Sequence, residues 1–162
     1  MDDQHIDFDL ADETATRMLG ERIAGAAGAG SVIALSGDLG SGKTVLARAF
    51  IRSFCAVDGD IPSPTFTLVQ IYEGGPAPVY HFDLYRLKAA DEALELGIEE
   101  AFADGVSLIE WPDRLGAWLP AVRLEVHLSQ GRSADARRAR LTGRGYWQAR
   151  LIDGMGDGAI HA

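Results

Sequence analysis

The sequence predicts an α/β fold with a mixed, mainly parallel central sheet and an antiparallel C-terminal portion. Residues 32–36 and 106–110 are short, nearly continuous apolar runs, the pattern of strands buried on both faces of a parallel sheet. Residues 122–128 instead alternate between apolar and polar side chains, as expected for a strand with one face in water. Apolar residues recur at helical spacing elsewhere, so helices are expected to cover the sheet.

The N-terminal part is predicted to contain a strand, a helix, a second strand and a second helix. Residues 5–10 alternate between polar and apolar side chains, which indicates a short half-buried strand. Asp12 is placed to cap a helix that runs to about residue 27, where glycines end it. The apolar strand at residues 32–36 follows, and the next helix ends near Cys55.

The middle of the chain is predicted to form a pair of strands and an acidic helix. Two prolines in residues 61–64 disfavour helix for the residue before each of them, so this segment is extended and leads into a strand at residues 68–72. A turn rich in Gly and Pro then returns the chain in a strand at residues 79–83. Residues 89–103 are predicted to be helical, with an interruption at Gly97.

The C-terminal part is predicted to complete the sheet. A loop over residues 111–120 precedes the alternating strand, and residues 136–142 are expected to be its antiparallel partner. Residues 146–152 are predicted to form a short helix. We interpret residues 1–152 as a single domain and the glycine-rich residues 153–162 as a flexible tail.

The most informative stretch is Gly37-Asp38-Leu39-Gly40-Ser41-Gly42-Lys43-Thr44, which matches the phosphate-binding pattern G-x-x-x-x-G-K-[ST] between a strand and a helix. Glycines let successive backbone N–H groups point at phosphate oxygens, and the N-terminus of the following helix adds unpaired donors. Lys43 is expected to reach the β- and γ-phosphates, and the Thr44 hydroxyl to bind Mg²⁺. We therefore predict a P-loop NTPase-like three-layer sandwich that binds a nucleoside triphosphate.

The composition favours a cytoplasmic protein that binds neither membranes nor nucleic acid by itself. The chain has 162 residues, 47% of them hydrophobic, and a net charge of −9, so phosphates and anionic membranes repel it. Its single cysteine, Cys55, excludes an internal disulfide and fits a reducing compartment. The acidic N-terminus lacks the long apolar run of a signal peptide or membrane span.

Two acidic residues, Asp83 and Glu110, come at the ends of predicted strands. Ligands bind at the carboxyl ends of the strands in open α/β sheets, so both acids are expected beside the phosphate loop if their strands run parallel to residues 32–36. Nucleotide hydrolysis needs acids near the metal and the attacking water, and Asp83 is our candidate to orient water or to hold the outer shell of the metal. The alternative for either acid is a solvated side chain at a strand end.

Three further residues are each open to two interpretations. Thr65 follows the proline-stiffened segment, where a switch that senses the γ-phosphate would lie, or it is an ordinary turn residue. His81 alternates with Asp83 and is either part of the site or a structural histidine. Trp111 is either a core anchor or a contact for a partner protein.

Five motifs together resemble the TsaE family, formerly YjeE. In chain order they are the phosphate loop, Ser63-Pro64-Thr65-Phe66-Thr67-Leu68-Val69, His81-Phe82-Asp83-Leu84-Tyr85-Arg86-Leu87, Glu95-Leu96-Gly97-Ile98 and Glu110-Trp111-Pro112. The resemblance covers about residues 12–132. The phosphate loop is generic, whereas the second and third motifs in combination are specific to this family.

The resemblance implies an activity and its partners. TsaE proteins are bacterial cytoplasmic ATPases that join the TsaB–TsaD heterodimer in making threonylcarbamoyladenosine (t6A) beside the tRNA anticodon. Their hydrolysis is weak alone, rises when the partners bind, and is thought to reset the complex between turnovers. The implied cofactors are ATP and Mg²⁺. We expect tRNA to be reached only through the complex, and we expect no membrane or DNA partner.

The resemblance also implies site residues by their position in the motifs. Thr44 and Glu110 match the Mg²⁺ ligands, and Asp83 matches an acid that the family needs for activity. Together with Lys43 and the switch candidate Thr65, Asp83 completes the predicted catalytic set. The predicted nucleotide contacts are Glu13, Leu39, Gly40, Ser41, Gly42, Lys43, Thr44, Arg132 and, with weaker motif support, Asp113.

Three other functional classes are alternatives to an ATPase. A small-molecule P-loop kinase needs an arginine-bearing lid, which the arginine-rich residues 132–144 offer. A signalling GTPase needs an Asn-Lys-x-Asp motif, and neither of the two lysines, Lys43 and Lys88, lies in one. A tRNA-binding module is disfavoured by the net charge of −9, although three arginines form a candidate basic patch: Arg137, Arg138 and Arg140.

Overall fold

The computed structural model describes residues 5–64 and 66–155, with side chains up to residue 151, and these residues build one seven-stranded sheet. The strands are β1 (His5–Leu10), β2 (Val32–Ser36), β3 (Val69–Tyr72), β4 (Val79–Asp83), β5 (Val106–Glu110), β6 (Arg123–Gln130) and β7 (Arg137–Arg144). The helices are α1 (Glu13–Ala26), α2 (Lys43–Cys55), α3 (Ile98–Asp104) and α4 (Trp147–Met155), with 3₁₀ segments at Ala90–Leu96 and Pro112–Trp118. No helix within the described ranges is long and apolar enough to cross a membrane.

The sheet is parallel in its middle and antiparallel at both edges. Its strand order is β1-β7-β6-β2-β5-β4-β3. The four strands β6, β2, β5 and β4 run parallel to their neighbours in this group. β3 pairs antiparallel with β4 at one edge, and β7 and β1 add antiparallel strands at the other. The prediction of a mixed sheet with mainly parallel central strands and an antiparallel C-terminal portion is confirmed.

One face of the sheet carries α1 and α2, which pack closely against each other. Asp12 caps α1, and its carboxylate accepts a hydrogen bond from the backbone N–H of Ala15 at 2.9 Å. At Gly20, a Cβ atom would lie 2.5 Å from the carbonyl oxygen of Leu46 in α2, so only glycine allows the helices to approach this closely. The core on this face includes Leu19 of α1 and Phe50 of α2, and it extends from β1 to β4.

The opposite face has a smaller core that covers only part of the sheet. α3 and the 3₁₀ segments bury Ile98 and Leu115 against Val32, Phe82 and Ile109 of β2, β4 and β5. Among the described residues, none from β6, β7 or β1 belongs to this second core. The outer face of those three strands is therefore exposed, and it carries charged side chains.

Several elements differ from the prediction, and β6 and β7 each end two residues later than expected. β3 begins at Val69 because the N–H of Leu68 donates to the carbonyl of Pro64 at 2.6 Å, which closes a turn before the strand. The acidic segment is 3₁₀ before Gly97 and α-helical after it, and a 3₁₀ segment replaces part of the loop expected at residues 111–120. α4 runs past residue 152 to Met155, while residues 156–162, predicted as part of a tail, lie outside the described residues.

Candidate functional site

The phosphate loop connects β2 to α2 through three glycines in the left-handed region. Gly37, Gly40 and Gly42 have φ values of 138°, 77° and 104°. A Cβ atom on Gly37 would also lie 2.4 Å from the carbonyl oxygen of Leu128 in β6. Both the positive φ angles and the close approach of β6 require glycine at these positions, so this backbone path depends on the residues that the motif specifies.

Lys43 is the first residue of α2 and lies inside the loop, with only 5% of its surface exposed. Its Nζ donates to the carbonyl oxygens of Gly37 and Asp38 at 2.7 and 2.9 Å. The same atom lies 4.2 Å from the centre of the Trp111 ring. Burial lowers the pKa of Lys43, and the nearby Glu110 carboxylate partly opposes this shift. The ammonium group is therefore held between loop carbonyls and an aromatic face, at the position where an anion would meet the loop.

Asp83 and Glu110 lie side by side at the ends of parallel strands. They are register partners in β4 and β5, and their exposed fractions are 7% and 2%. Glu110 Oε1 accepts a hydrogen bond from Thr44 Oγ1 at 3.0 Å, and Asp83 Oδ1 accepts from the N–H of Tyr85 at 3.1 Å. The prediction that both acids lie at the same sheet edge as the phosphate loop is confirmed.

The loop and the acids line one cavity of about 290 Å³. Its walls come from α1, the loop, the start of α2, the ends of β4 and β5, and the start of β7. The lining residues are Glu13, Thr16, Leu39, Gly40, Ser41, Gly42, Lys43, Thr44, Val45, Asp83, Glu110, Trp111, Asp135 and Arg137.

Two of the predicted nucleotide contacts do not line this cavity. Asp113 is exposed in the first turn of the 3₁₀ segment Pro112–Trp118. Arg132 is exposed and lines a neighbouring depression with Leu10 and Ala11. Thr65, the switch candidate, lies outside the described residues.

Arg137 occupies the cavity wall without having been predicted there. Its Nη2 donates to the carbonyl oxygen of Gly40 at 3.1 Å, and its Nε donates to that of Ser41 at 3.0 Å. Ser41 and Arg137 are 96 positions apart in the sequence, so no local pattern signals the contact. The guanidinium of Arg137 therefore links β7 to the phosphate loop through two hydrogen bonds.

The other arginines of this region point away from the loop. Arg138 pairs with Asp9 at 3.2 Å, and Arg140 pairs with Asp7 at 2.8 Å, both on the exposed face of the sheet. The basic patch considered for Arg137, Arg138 and Arg140 is therefore not formed, because successive residues of a strand face opposite sides and Arg137 lies on the face away from the other two. Residues 137–144 form a strand of the sheet rather than the lid that a kinase would need.

His81 and Trp111, which the sequence left open, both contact the site. His81 is fully buried, and its Nε2 lies 2.7 Å from Glu110 Oε2. Trp111 follows β5 with a φ of 62° and lines the cavity, and its ring lies 4.9 Å from that of Tyr85. Trp111 therefore contributes to the cavity wall, and His81 supports an acid of the site from within the sheet.

The residues present fit a magnesium–triphosphate group. Within the described ranges, no group of three or more His, Cys, Asp or Glu side chains could hold a metal by itself. Thr44 and Glu110 offer adjacent oxygen ligands, and Mg²⁺ in nucleotide sites takes its other ligands from phosphates and water. The Oγ of Ser41 is buried without a hydrogen-bond partner among the described residues, so a phosphate oxygen would satisfy it.

Known proteins of one family are similar to this chain in sequence and in fold. A family model described as threonylcarbamoyl adenosine biosynthesis protein TsaE matches residues 10–139, a range that contains every residue lining the cavity. The tRNA threonylcarbamoyladenosine biosynthesis protein TsaE of Rickettsia bellii is 40% identical over 119 residues, which are 74% of this chain and 83% of the relative. The protein of the same name from Bacillus subtilis is 36% identical over 124 residues, 76% and 75% of the two chains. The crystal structure of Bacillus subtilis YdiB is similar at a TM-score of 0.79 and 25% identity over 97% of both chains.

Proposed function

The chain belongs to the TsaE family of threonylcarbamoyladenosine biosynthesis proteins, and we propose that it is the Mg²⁺-dependent ATPase that acts with a TsaB–TsaD heterodimer. One observation carries the proposal: the loop lysine and two strand-end carboxylates line the same cavity. On this proposal the fold is a P-loop NTPase-like three-layer sandwich. The protein works in the cytoplasm and meets tRNA only through the complex.

The loop binds the phosphates of ATP through its backbone N–H groups and the N-terminus of α2. Lys43 exchanges its hydrogen bonds to Gly37 and Asp38 for phosphate oxygens, and this requires only its flexible side chain to move. Arg137 holds the carbonyls of Gly40 and Ser41, which keeps the loop open for the ligand. Glu13 contacts the nucleotide from the first turn of α1, and Arg132 and Asp113 remain predicted contacts that would need their segments to move.

Hydrolysis transfers the γ-phosphoryl group to water. The bond between the γ-phosphorus and the β–γ bridging oxygen breaks, and the products are ADP and phosphate. Positioning and electrostatic stabilisation supply most of the acceleration in such reactions. Lys43 offsets the charge on the bridging and γ-oxygens, Thr44 and Glu110 would hold the metal, and Asp83 orients the attacking water. Bound Mg²⁺ would neutralise charge that develops on the phosphate oxygens.

The catalytic set is completed by the partners. Arg137, which lines the cavity, is engaged with backbone carbonyls, and Arg138 and Arg140 are engaged with strand acids, so none of the three is poised as an arginine finger. Slow turnover by the isolated protein is expected, and contact with TsaB–TsaD is expected to raise it. Thr65, in its switch segment, is the residue we expect to sense the γ-phosphate.

The test is to measure ATP binding and ATPase rate for the purified protein, alone and with its TsaB–TsaD pair. We expect Mg²⁺-dependent binding, slow hydrolysis alone and a severalfold or greater increase with the pair. Lys43→Ala in the same assembly serves as the inactive control. Failure of the wild-type protein to bind ATP with Mg²⁺ present would refute the nucleotide site, and binding without any hydrolysis in the complex would refute the ATPase.

A further inference from the structure

A buried histidine supports the metal-facing carboxylate from inside the sheet. His81 belongs to β4, two residues before Asp83, and none of its surface is exposed. Its register partner in β5 is Leu108, two residues before Glu110, so His81 lies one row deeper than the two acids. Alternate residues of a strand share a face, which places His81, Asp83 and Glu110 on the side of the sheet that faces α2.

The ring of His81 makes one polar contact within the described residues. Nε2 lies 2.7 Å from Glu110 Oε2, whereas Nδ1 is buried without a hydrogen-bond partner there. If Nδ1 carried the proton instead, its buried N–H would have no acceptor, and Nε2 and Glu110 Oε2 would face each other as two acceptors. We therefore assign the proton to Nε2. A ring with one hydrogen bond is oriented by that bond, and the partner in this case is the carboxylate expected to hold the metal.

Two donors thus hold the two oxygens of Glu110. Thr44 Oγ1 donates to Oε1 at 3.0 Å from the start of α2, and His81 Nε2 donates to Oε2 from β4. The Thr44 hydroxyl is itself a candidate metal ligand, so its bond to Glu110 is the one that metal binding would rearrange. The His81 bond faces the sheet interior and is the one that remains to orient the carboxylate.

We propose that His81 is a positioning residue that holds the Glu110 carboxylate in the orientation required by the metal ion of the bound nucleotide. The inference deepens the proposed Mg-ATP function and rests on it. Hydrogen-bonded partners of metal ligands fix ligand orientation, and their loss lowers metal affinity by about 10–100-fold. A histidine that only fills space would not affect the metal selectively.

Three variants at His81 separate these roles. In His81→Gln, the side-chain N–H₂ extends to about the reach of the histidine Nε2, so Gln can still donate to Glu110. In His81→Asn the amide falls short of Glu110, and in His81→Leu the donor is absent. Ser107→Ala is the matched control, because Ser107 is fully buried in β5 with an Oγ that has no partner in the described part of the chain, and it does not line the cavity.

The readout is Mn²⁺ binding to the full-length protein with ADP, followed by electron paramagnetic resonance, together with ADP affinity in EDTA by calorimetry. For His81→Leu and His81→Asn we expect the Mn²⁺ dissociation constant to rise by about 10-fold or more, with ADP affinity in EDTA unchanged. His81→Gln should retain most of the wild-type Mn²⁺ affinity, and Ser107→Ala all of it. Thermal unfolding of each variant identifies any that fails to fold.

Equal Mn²⁺ affinity in His81→Gln and His81→Asn would overturn the proposal, even if His81→Leu does not fold. Equal losses of Mn²⁺ affinity and of ADP affinity in EDTA would also overturn it, because they would indicate a packing role. A wild-type protein that binds neither ADP nor Mn²⁺–ADP would instead refute the proposed nucleotide site itself. If the wild-type protein binds Mn²⁺ with ADP and His81→Leu binds it equally well, the nucleotide site is supported and only the role of His81 is refuted.

Discussion

Polar side chains are buried in one part of the sheet and exposed in the other. In the part made of the parallel strands β2, β5 and β4 (the parallel part), both faces are covered, and the polar residues His81, Asp83 and Glu110 are buried near the strand ends. The other part is made of β6, β7 and the N-terminal strand β1 that pairs with β7 (the C-terminal part), and it includes β6, which is parallel to β2, because its outer face is uncovered. There, one face is exposed and carries ion pairs across strands, such as Asp7 with Arg140. Burial strengthens the electrostatic interactions of the polar residues in the parallel part, whereas solvent weakens the exposed ion pairs of the C-terminal part.

The difference in burial separates the candidate site from the rest of the sheet. Burying a polar group lowers the stability of the fold unless the group is hydrogen-bonded or paired. The concentration of buried polar groups at one sheet edge therefore indicates a functional site rather than a general feature of the fold. Exposed cross-strand pairs, by contrast, suit a strand with one face in water. The two parts meet at Arg137, whose guanidinium crosses from β7 to the phosphate loop.

The largest expected effect is in the parallel part, from Lys43→Ala. Loss of the ammonium removes charge-assisted hydrogen bonds to phosphate, and we expect ATP affinity to fall by about 100-fold or more in calorimetry. Because burial lowers the pKa of Lys43, its buried charge does not stabilise the fold, and the variant should remain folded. Arg140→Ala in the C-terminal part is the control, and an equal loss of affinity there would break the comparison.

Asp83→Asn should act on hydrolysis and not on binding. The amide oxygen of Asn can still accept from the N–H of Tyr85, so the local turn is preserved, but the charge proposed to orient water is lost. We expect the ATPase rate in the TsaB–TsaD complex to fall by about 100-fold, with ATP affinity nearly unchanged. Asp9→Asn replaces an exposed acid of the C-terminal part and should have no effect. A normal ATPase rate for Asp83→Asn would show that its assigned role is wrong.

The boundary between the two parts is tested by a pair of arginine variants. Arg137→Ala removes two hydrogen bonds to the phosphate loop, and we expect ATP affinity to fall by about 10-fold. Arg132 is exposed outside the cavity and contacts the nucleotide only if its segment moves, so Arg132→Ala should reduce ATP affinity less than Arg137→Ala does. If Arg132→Ala weakens ATP binding more than Arg137→Ala does, the contact predicted from the sequence is the correct one, and its segment must move on binding.

The smallest effect is expected on the exposed face of the C-terminal part. A hydrogen bond from Arg140 lowers the pKa of Asp7, so the folded state favours the ionised carboxylate. The stabilisation is complete above the ordinary pKa of an aspartate and is lost as the pH falls through the lowered value. Asp7→Asn should therefore reduce the unfolding temperature slightly at neutral pH, less in high salt, and not at all in acid. A loss that persists in acid or in high salt would indicate packing instead of charge.

Sequence patterns were sufficient to predict the features that depend on residues close together in the chain or on the general geometry of parallel strands. The phosphate loop could be predicted because its glycines and its lysine act through the conformation of eight consecutive residues. Asp83 and Glu110 could be placed at one edge because neighbouring parallel strands bring their carboxyl ends together. The 3₁₀ segments and the late start of β3 were missed, because turns such as that from Pro64 to Leu68 depend on hydrogen bonds that periodicity does not reveal.

Residue types within short stretches were enough to predict the strands, the loop and the acids at the strand ends. The lining of the cavity by Arg137 rather than Arg132, and the contact of His81 with Glu110, became visible only in the folded structure. Those contacts join residues 96 and 29 positions apart, and they depend on strand order and register. A change of one residue in register would turn each of these side chains to the other face of the sheet, which is why no short pattern could specify them.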